Sequence, residues 1–395
     1  NNATIEITVR GVNDAPVGTA DAGSVNEDKQ LTVSAGSGVL ANDTDADDSS
    51  SLTVSAVQGQ SSNVDSNVTG TYGTLNLDAD GSYTYIANQS GADGLAAGVS
   101  ATDTFAYTVS DGTATSTVNL VITVTGVGPE AVADTASVNE NASINANNAS
   151  STGVLANDDD NAAYDSESLA VTNVSSNSTG NSGSATQGVL GTYGTLTVAA
   201  DGTYTYTANT AAAEALADGV QQTDVFTYTV KDDDDKNSST ATLTITVTGV
   251  DDNPVGNNDA GAVNEDKTLT VSAGSGVLSN DTDADASASL TVSAIAGGTV
   301  GQAVTGNHGT LTLAADGSYT YVADRSDADA LAVDATGTDT FTYTVSDGGG
   351  TTNTADLVIT ITGVGPQAVA DTGAVNENAT LTVNEASGVI SNDDD

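Results

Sequence analysis

The chain has 395 residues and a formal net charge of −47, from 6 Lys and Arg against 53 Asp and Glu. A surface this acidic repels nucleic acid and anionic membranes and attracts divalent cations. The absence of cysteine excludes disulfides, thiol catalysis and zinc–thiolate sites, and no apolar run is long enough to span a bilayer as a helix.

Residues 1–9 predict a strand, with Ile5, Ile7 and Val9 alternating with Thr4, Glu6 and Thr8. A linker, Gly11–Pro16, follows. The same strand and linker recur at Leu120–Pro129, Leu243–Pro254 and Leu357–Pro366. Pro16, Pro129, Pro254 and Pro366 are spaced 113, 125 and 112 apart, and Phe105, Phe226 and Phe341 are spaced 121 and 115 apart. Each interval suits one β-sandwich, so the chain reads as a tandem array. The expected divisions are 1–16 (last strand of a truncated module, with linker), 17–128, 129–253 and 254–365 (three modules), and 366–395 (start of a fourth). Both ends look cut from something longer.

Within the first whole module, Ser24–Asp28, Leu31–Ser34 and Leu52–Val57 predict three strands. Gly38–Asp48 is a turn-rich loop. A hairpin over Gly70–Asn88 turns at Asp80-Gly81, where Gly supplies the positive φ of a tight turn. Gly191–Asn209 and Gly306–Asp324 repeat it, turning at Asp201-Gly202 and Asp316-Gly317. The sixth strand puts Phe105, Tyr107 and Val109 on one face, and the seventh Val118, Leu120, Ile122 and Val124. Seven short strands with Gly/Asn/Asp turns and no sustained helical period predict an all-β Greek-key sandwich. The second module carries a Ser/Asn/Gly-rich insert, Ser175–Gly188.

The strongest chemical signal is an acidic loop. Asp43, Asp45 and Asp47 stand at alternate positions after Asn42, and Asp281, Asp283 and Asp285 repeat this after Asn280. The second module has Asp158, Asp159 and Asp160, with Asp165 further on. Alternate carboxylates in a loop can converge on a hard cation through oxygen, as Ca²⁺ requires. This is not an EF-hand, since Asp48 and Val54 stand where its Gly and its bidentate Glu belong. Further acidic sets recur at Glu27, Glu140, Glu265 and Glu377; at Asp103, Asp224 and Asp339, just before the sixth strand's aromatic; and at Asp111, Asp232 and Asp347, in the turn after it.

The hairpin G-T-Y-G-T-L-T-V-A-A-D-G-T-Y-T-Y-T-A-N, with Thr223–Val230 and Thr240–Gly249, resembles the VCBS repeat. The segments V-N-E-D and G-V-L-A-N-D-T-D-A-D resemble bacterial cadherin-like, Ig-like modules. The resemblance spans essentially the whole chain. It implies an extended calcium-dependent stalk in a large surface or secreted protein, such as an RTX-type adhesin or biofilm protein exported by type I secretion. It also implies calcium where modules meet, with the Glu set and the linker residues Asp14, Asp251 and Asp252 as ligands. The linkers G-V-G-P-E and G-V-G-P-Q carry no Asp, so stiffening by calcium is expected to be uneven.

His308 is the lone histidine, at the place of Tyr72 and Tyr193, and reads as structural. Lys231–Lys236, K-D-D-D-D-K, reads as a solvated hairpin tip. No nucleophile motif, phosphate loop or His dyad is present, and acidic residues copied into every module argue for structure rather than catalysis. The expected function is therefore a calcium-stiffened stalk, with neighbouring modules and other copies of the chain as partners. The rivals are a self-assembling filament or surface layer and a carbohydrate-binding module, the last disfavoured by only 4% aromatic residues.

Overall fold

The computed structural model describes residues 4–47, 51–147, 152–159, 168–232, 238–366, 370–384 and 388–389. Two compact units are present, Asn1–Thr210 with Gln222–Val247, and Ala211–Gln221 with Thr248–Asp395. The first holds two sandwiches and the second one.

The first sandwich contains β1 (Asp21–Asn26), β2 (Gln30–Val33), β3 (Thr53–Val57), β4 (Asn67–Thr69), β5 (Thr74–Leu77), β6 (Tyr83–Ile86), β7 (Ser100–Ser110) and β8 (Thr115–Thr125). One sheet runs β1-β8-β7-β3 and the other β2-β6-β5-β4. β1 lies parallel to β8, while β7 and β8 are antiparallel along their whole length. Residues alternate in and out, so Phe105, Tyr107 and Val109 of β7 and Leu120, Ile122 and Val124 of β8 all enter the core. Tyr85 meets Phe105 edge-on, with centroids 6.2 Å apart. In β3 the buried residues are Val54 and Val57, which are three apart; a bulge between Val54 and Ala56 turns both inward. The hairpin turn forms as expected, with Gly81 at φ +85°.

The second sandwich runs β9 (Asp134–Asn139) through β17 (Ser238–Thr248), and its first sheet has five strands, β12 (Ser182–Ser184), β11 (Ala170–Ser176), β16 (Gln221–Lys231), β17 and β9 in that order. The extra strand, β12 (Ser182–Ser184), comes from the insert and pairs antiparallel with β11 (Ala170–Ser176). The third sandwich, β18 (Asp259–Asn264) to β25 (Thr352–Thr362), repeats the first strand for strand.

Two expectations are corrected. Each whole sandwich of the first type has eight strands rather than seven, the added one being the short edge strand β4. Residues 4–10 form no strand, and Ile5, Ile7 and Val9 are exposed, because period-two alternation makes a strand only where another strand supplies hydrogen bonds. The start of the fourth module likewise shows no strand among its described residues.

Candidate metal centre

The acidic residues that recur along the sequence occupy three different environments. Asp103, Asp224 and Asp339 are buried and fully engaged. Asp103 Oδ1 accepts from Thr71 N at 2.8 Å, and Oδ2 accepts from Tyr72 N, Gly73 N and the Tyr85 hydroxyl at 3.0, 3.1 and 2.7 Å. Asp224 repeats this with Thr192, Tyr193, Gly194 and Tyr206. Asp339 does so with Asn307, His308, Gly309 and Tyr321. His308 adds a contact from Nδ1 to Asp339 Oδ1 at 3.1 Å, which gives the lone histidine a structural place. Burial raises the Asp339 carboxyl, but the donors on it, Tyr321 and His308 first, bring it below its ordinary value. These three residues, expected as metal ligands, instead clasp the G-x-x-G loop before the fifth strand. The clasp explains the two glycines: a Cβ at Gly70 would lie 2.2 Å from Asp103 Oδ2, and one at Gly73 2.3 Å from the Ile86 carbonyl.

The first carboxylate of each acidic loop points back onto the end of its sandwich. Asp43 Oδ1 accepts from Thr19 N at 2.6 Å, Asp281 from Asn257 N at 2.6 Å and Asp158 from Val132 N at 2.7 Å. Beside each stands a carboxylate that sequence reading missed. Asp21, Asp134 and Asp259 accept from the hydroxyls of Tyr107, Tyr228 and Tyr343 at 2.6, 2.9 and 2.8 Å. The signal was available: an Asp recurs six residues before each Glu of the V-N-E motif. Burial, partly offset by the Tyr228 hydrogen bond and reinforced by Asp158, pushes Asp134 up to about 6. The same causes raise Asp21 and Asp259.

The remaining loop carboxylates face the linker. In the first unit, Asp14 N donates to Asp47 Oδ2 at 3.0 Å, and Asp47 N to Asp45 Oδ1 at 2.7 Å. Asp45 Oδ2 is buried with no hydrogen-bond donor. Asp111 caps its own turn through Thr113 N and Ala114 N, and receives the Asn13 side-chain amide at 3.0 Å. These donors, Ala114 N first, hold its carboxyl low.

The second unit shows the arrangement most fully. Asp252 N donates to Asp285 Oδ2 at 3.0 Å, and Asp285 N to Asp283 Oδ1 at 2.9 Å. Asp252 Oδ2, Asp283 Oδ2 and Asp285 Oδ1 are buried and without a donor, and Asp285 is only 8% exposed. The Asp252 carboxyl is raised by burial and then by the charges of Glu214, Asp285, Asp283 and Asp251. Asp251 is raised by burial and then by Asp347, Asp285, Asp218 and Asp283. Glu214 ends the single helical turn Ala211–Glu214, and neither it nor Asp218 stood out in the sequence. Asp347 is engaged by Thr351, whose hydroxyl also reaches the Asp252 carbonyl. Orphaned carboxylate oxygens facing one another are costly unless a cation joins them.

Glu27 and Glu265 are buried, and each Oε1 accepts from a linker amide, Val127 N and Val364 N, at 2.6 Å. Glu140 is buried as well. Asp160, Asp165 and the centre of K-D-D-D-D-K lie outside the described residues.

Sandwich repeats carrying acidic loops beside their linkers define a class of modular β protein. The profile of the bacterial cadherin-like domain matches residues 13–126, 127–249 and 251–363, and the chain belongs to that family. Among solved structures it is similar to Drosophila N-cadherin EC1-4 (10% identity, 89% of this chain and 76% of that chain, TM-score 0.33). It is also similar to mouse cadherin-23 EC22-24 (12% identity, 89% and 99%, TM-score 0.34). No curated protein matches.

Proposed function

We propose that this chain is a structural repeat region of an extracellular bacterial adhesin or biofilm-matrix protein, and that calcium stiffens it. The observation carrying this reading is the set of buried, donorless oxygens on Asp252, Asp283 and Asp285. Six Lys and Arg cannot neutralise 53 acidic residues, so the missing charge must come from outside the chain. Hard oxygen donors of this kind suit Ca²⁺, which takes six to eight of them. The ligands proposed are Asp45 and Asp47 with Asp14, and Asp283 and Asp285 with Asp251 and Asp252. Asp103, Asp224 and Asp339 are set aside, because their lone pairs already serve the clasp. A family of adhesive and structural modules, with carboxylates repeated in each copy, supports a mechanical role over a catalytic one.

The test is thermal melting with calcium and with chelator. An ion bound only by the folded state adds RT ln(1 + [L]/Kd), about 2.7 kcal/mol at a hundredfold excess over Kd. Calcium should raise the transition, and Asp45→Asn with Asp47→Asn should remove much of the first sandwich's share. Superimposable curves would end this reading.

A further inference from the structure

The sandwiches share one plan, so each flank has a counterpart in the other repeats, and the third sandwich is open where the first is closed. In the third, β20 (Thr291–Ile295) pairs with β24 (Thr336–Ser346) only from Thr291 opposite Ser346 to Ile295 opposite Tyr343. Ala296 N then donates to the Thr342 carbonyl at 2.8 Å, and the ladder ends. Backbone polar groups of a strand face alternate edges, residue by residue. Thr340 and Thr338 therefore turn their N–H and C=O groups to the same side as Thr342, beyond the end of β20. Among the described residues no backbone N–H outside the strand ladders donates to the Thr340 carbonyl. Both threonines are exposed.

The first sandwich closes this place from within. Gln58 N donates to the Ala106 carbonyl at 2.7 Å, the bond that Ala296 repeats, and the Gln58 amide Nε2 goes on to donate to the Thr104 carbonyl at 3.1 Å. Thr104 and Thr340 correspond, since each precedes the phenylalanine of its strand. In the second sandwich, Val225 holds that place, and its carbonyl accepts from Asn177 N at 2.9 Å. The third has Ala296, whose methyl group has nothing to donate. Its connection is also shorter, with Gly306 11 positions after Ile295 where Gly70 is 13 positions after Val57. A cavity of about 290 Å³ results. Buried Val304 and Phe341 line it, together with exposed Ala296, Asn307 and Thr340. Asp339 lines it too, with both oxygens already taken up by the clasp.

We propose that this flank binds an extended, uncharged peptide segment of a partner protein, which adds a strand beside Thr338 and Thr340 and places a glutamine side chain in the cavity. A free strand edge recruits such a segment through main-chain hydrogen bonds, and a pocket beside the edge selects its side chain. The volume is at the low end of ligand cavities, about 300 Å³, which suits one side chain. Gln58 shows the chemistry that satisfies the place: an amide donor on a short aliphatic stem. A carboxylate there would face the buried Asp339 in a chain of net charge −47, so an acidic side chain is opposed.

The test uses the full chain and a blocked synthetic peptide, T-V-T-Q-T-V-T, with T-V-T-E-T-V-T as its control. Binding is followed by calorimetry and by hydrogen exchange with mass spectrometry. The glutamine peptide should bind saturably and slow exchange over Thr336–Phe341, while Ser100–Phe105 in the first sandwich stays unchanged. Ala296→Gln, which supplies the missing side chain in place, should weaken binding by about tenfold or more. A melt of that variant checks that the third sandwich is folded, and the glutamate peptide, expected to bind about tenfold more weakly to the unaltered chain, needs no protein variant. Absence of binding at millimolar peptide overturns the proposal. So does equal binding of the two peptides, equal binding by folded Ala296→Gln, or binding without protection of Thr336–Phe341. The calcium reading uses other residues and survives any of these results.

Discussion

Asp103→Asn separates the two roles that this residue could have, clasp or metal ligand. The substitution keeps Oδ1 and its bond from Thr71 N but puts an amide NH₂ where Oδ2 receives Tyr72 N, Gly73 N and the Tyr85 hydroxyl. The phenol can turn and accept from the new amide, but the two backbone N–H groups cannot turn. Each buried donor left unmade costs about 1–3 kcal/mol, so the first sandwich should lose about 4 kcal/mol. At about 1.4 kcal/mol per tenfold, that corresponds to roughly three orders of magnitude in the opening equilibrium of β5 and β6. Hydrogen exchange followed by mass spectrometry reads this for peptides over Thr74–Leu77 and Tyr83–Ile86, with the second and third sandwiches as internal controls. The loss should be the same in calcium and in chelator, because the clasp uses protein donors alone. A loss confined to calcium-containing buffer, or one no larger than that of the exposed Asp80→Asn, would refute the reasoning.

Three further outcomes are expected. Gly194→Ala should destabilise the second sandwich by about 1–3 kcal/mol in denaturant melts, since its Cβ would lie 2.4 Å from the Thr207 carbonyl and 2.5 Å from Tyr206 Cζ. Asp134, ordinary value 3.8, is raised to about 6 in the fold, so the folded state takes up its proton first. In chelator its contribution should therefore rise as pH falls from 7 toward 5, and Asp134→Asn should abolish that increment in melts across this window. No turnover of polysaccharide or peptide substrates is expected; activity abolished by one Asp or Glu substitution would contradict the structural assignment.

Period-two alternation made most of the sandwich readable in advance. Leu75 and Leu77, Tyr83 and Tyr85, and the long seventh strand with Leu120, Ile122 and Val124 announce both strand and buried face. β4 was not readable, because Asn67-Val68-Thr69 is too short to show a period, nor was β12, whose Ser-Gly-Ser offers no apolar residue. β1 begins at Asp21 rather than Ser24 because backbone pairing with β8, rather than large side chains, defines it. For the site, recurrence identified which carboxylates matter but not what each one does. Asp43 and Asp45 stand in the same D-T-D run, yet one is held by a backbone amide of its own sandwich while the other keeps a donorless oxygen. That difference depends on which way the loop lies across the chain, and a one-dimensional pattern does not carry it.

The parallel pairing of the first strand with the last has a mechanical consequence. Asp21 lies opposite Leu120 and Asn26 opposite Thr125, so the chain enters and leaves the sandwich along one shared seam, running in the same direction. Tension applied to the two ends drags β1 and β8 past each other lengthwise. The hydrogen bonds of the seam then carry the load together, rather than breaking one at a time from an end as they would in a peeled hairpin. β18 and β25 repeat the seam from Asp259 opposite Leu357 to Asn264 opposite Thr362. Each of these two sandwiches, pulled at its ends, therefore meets the load with its seam in shear.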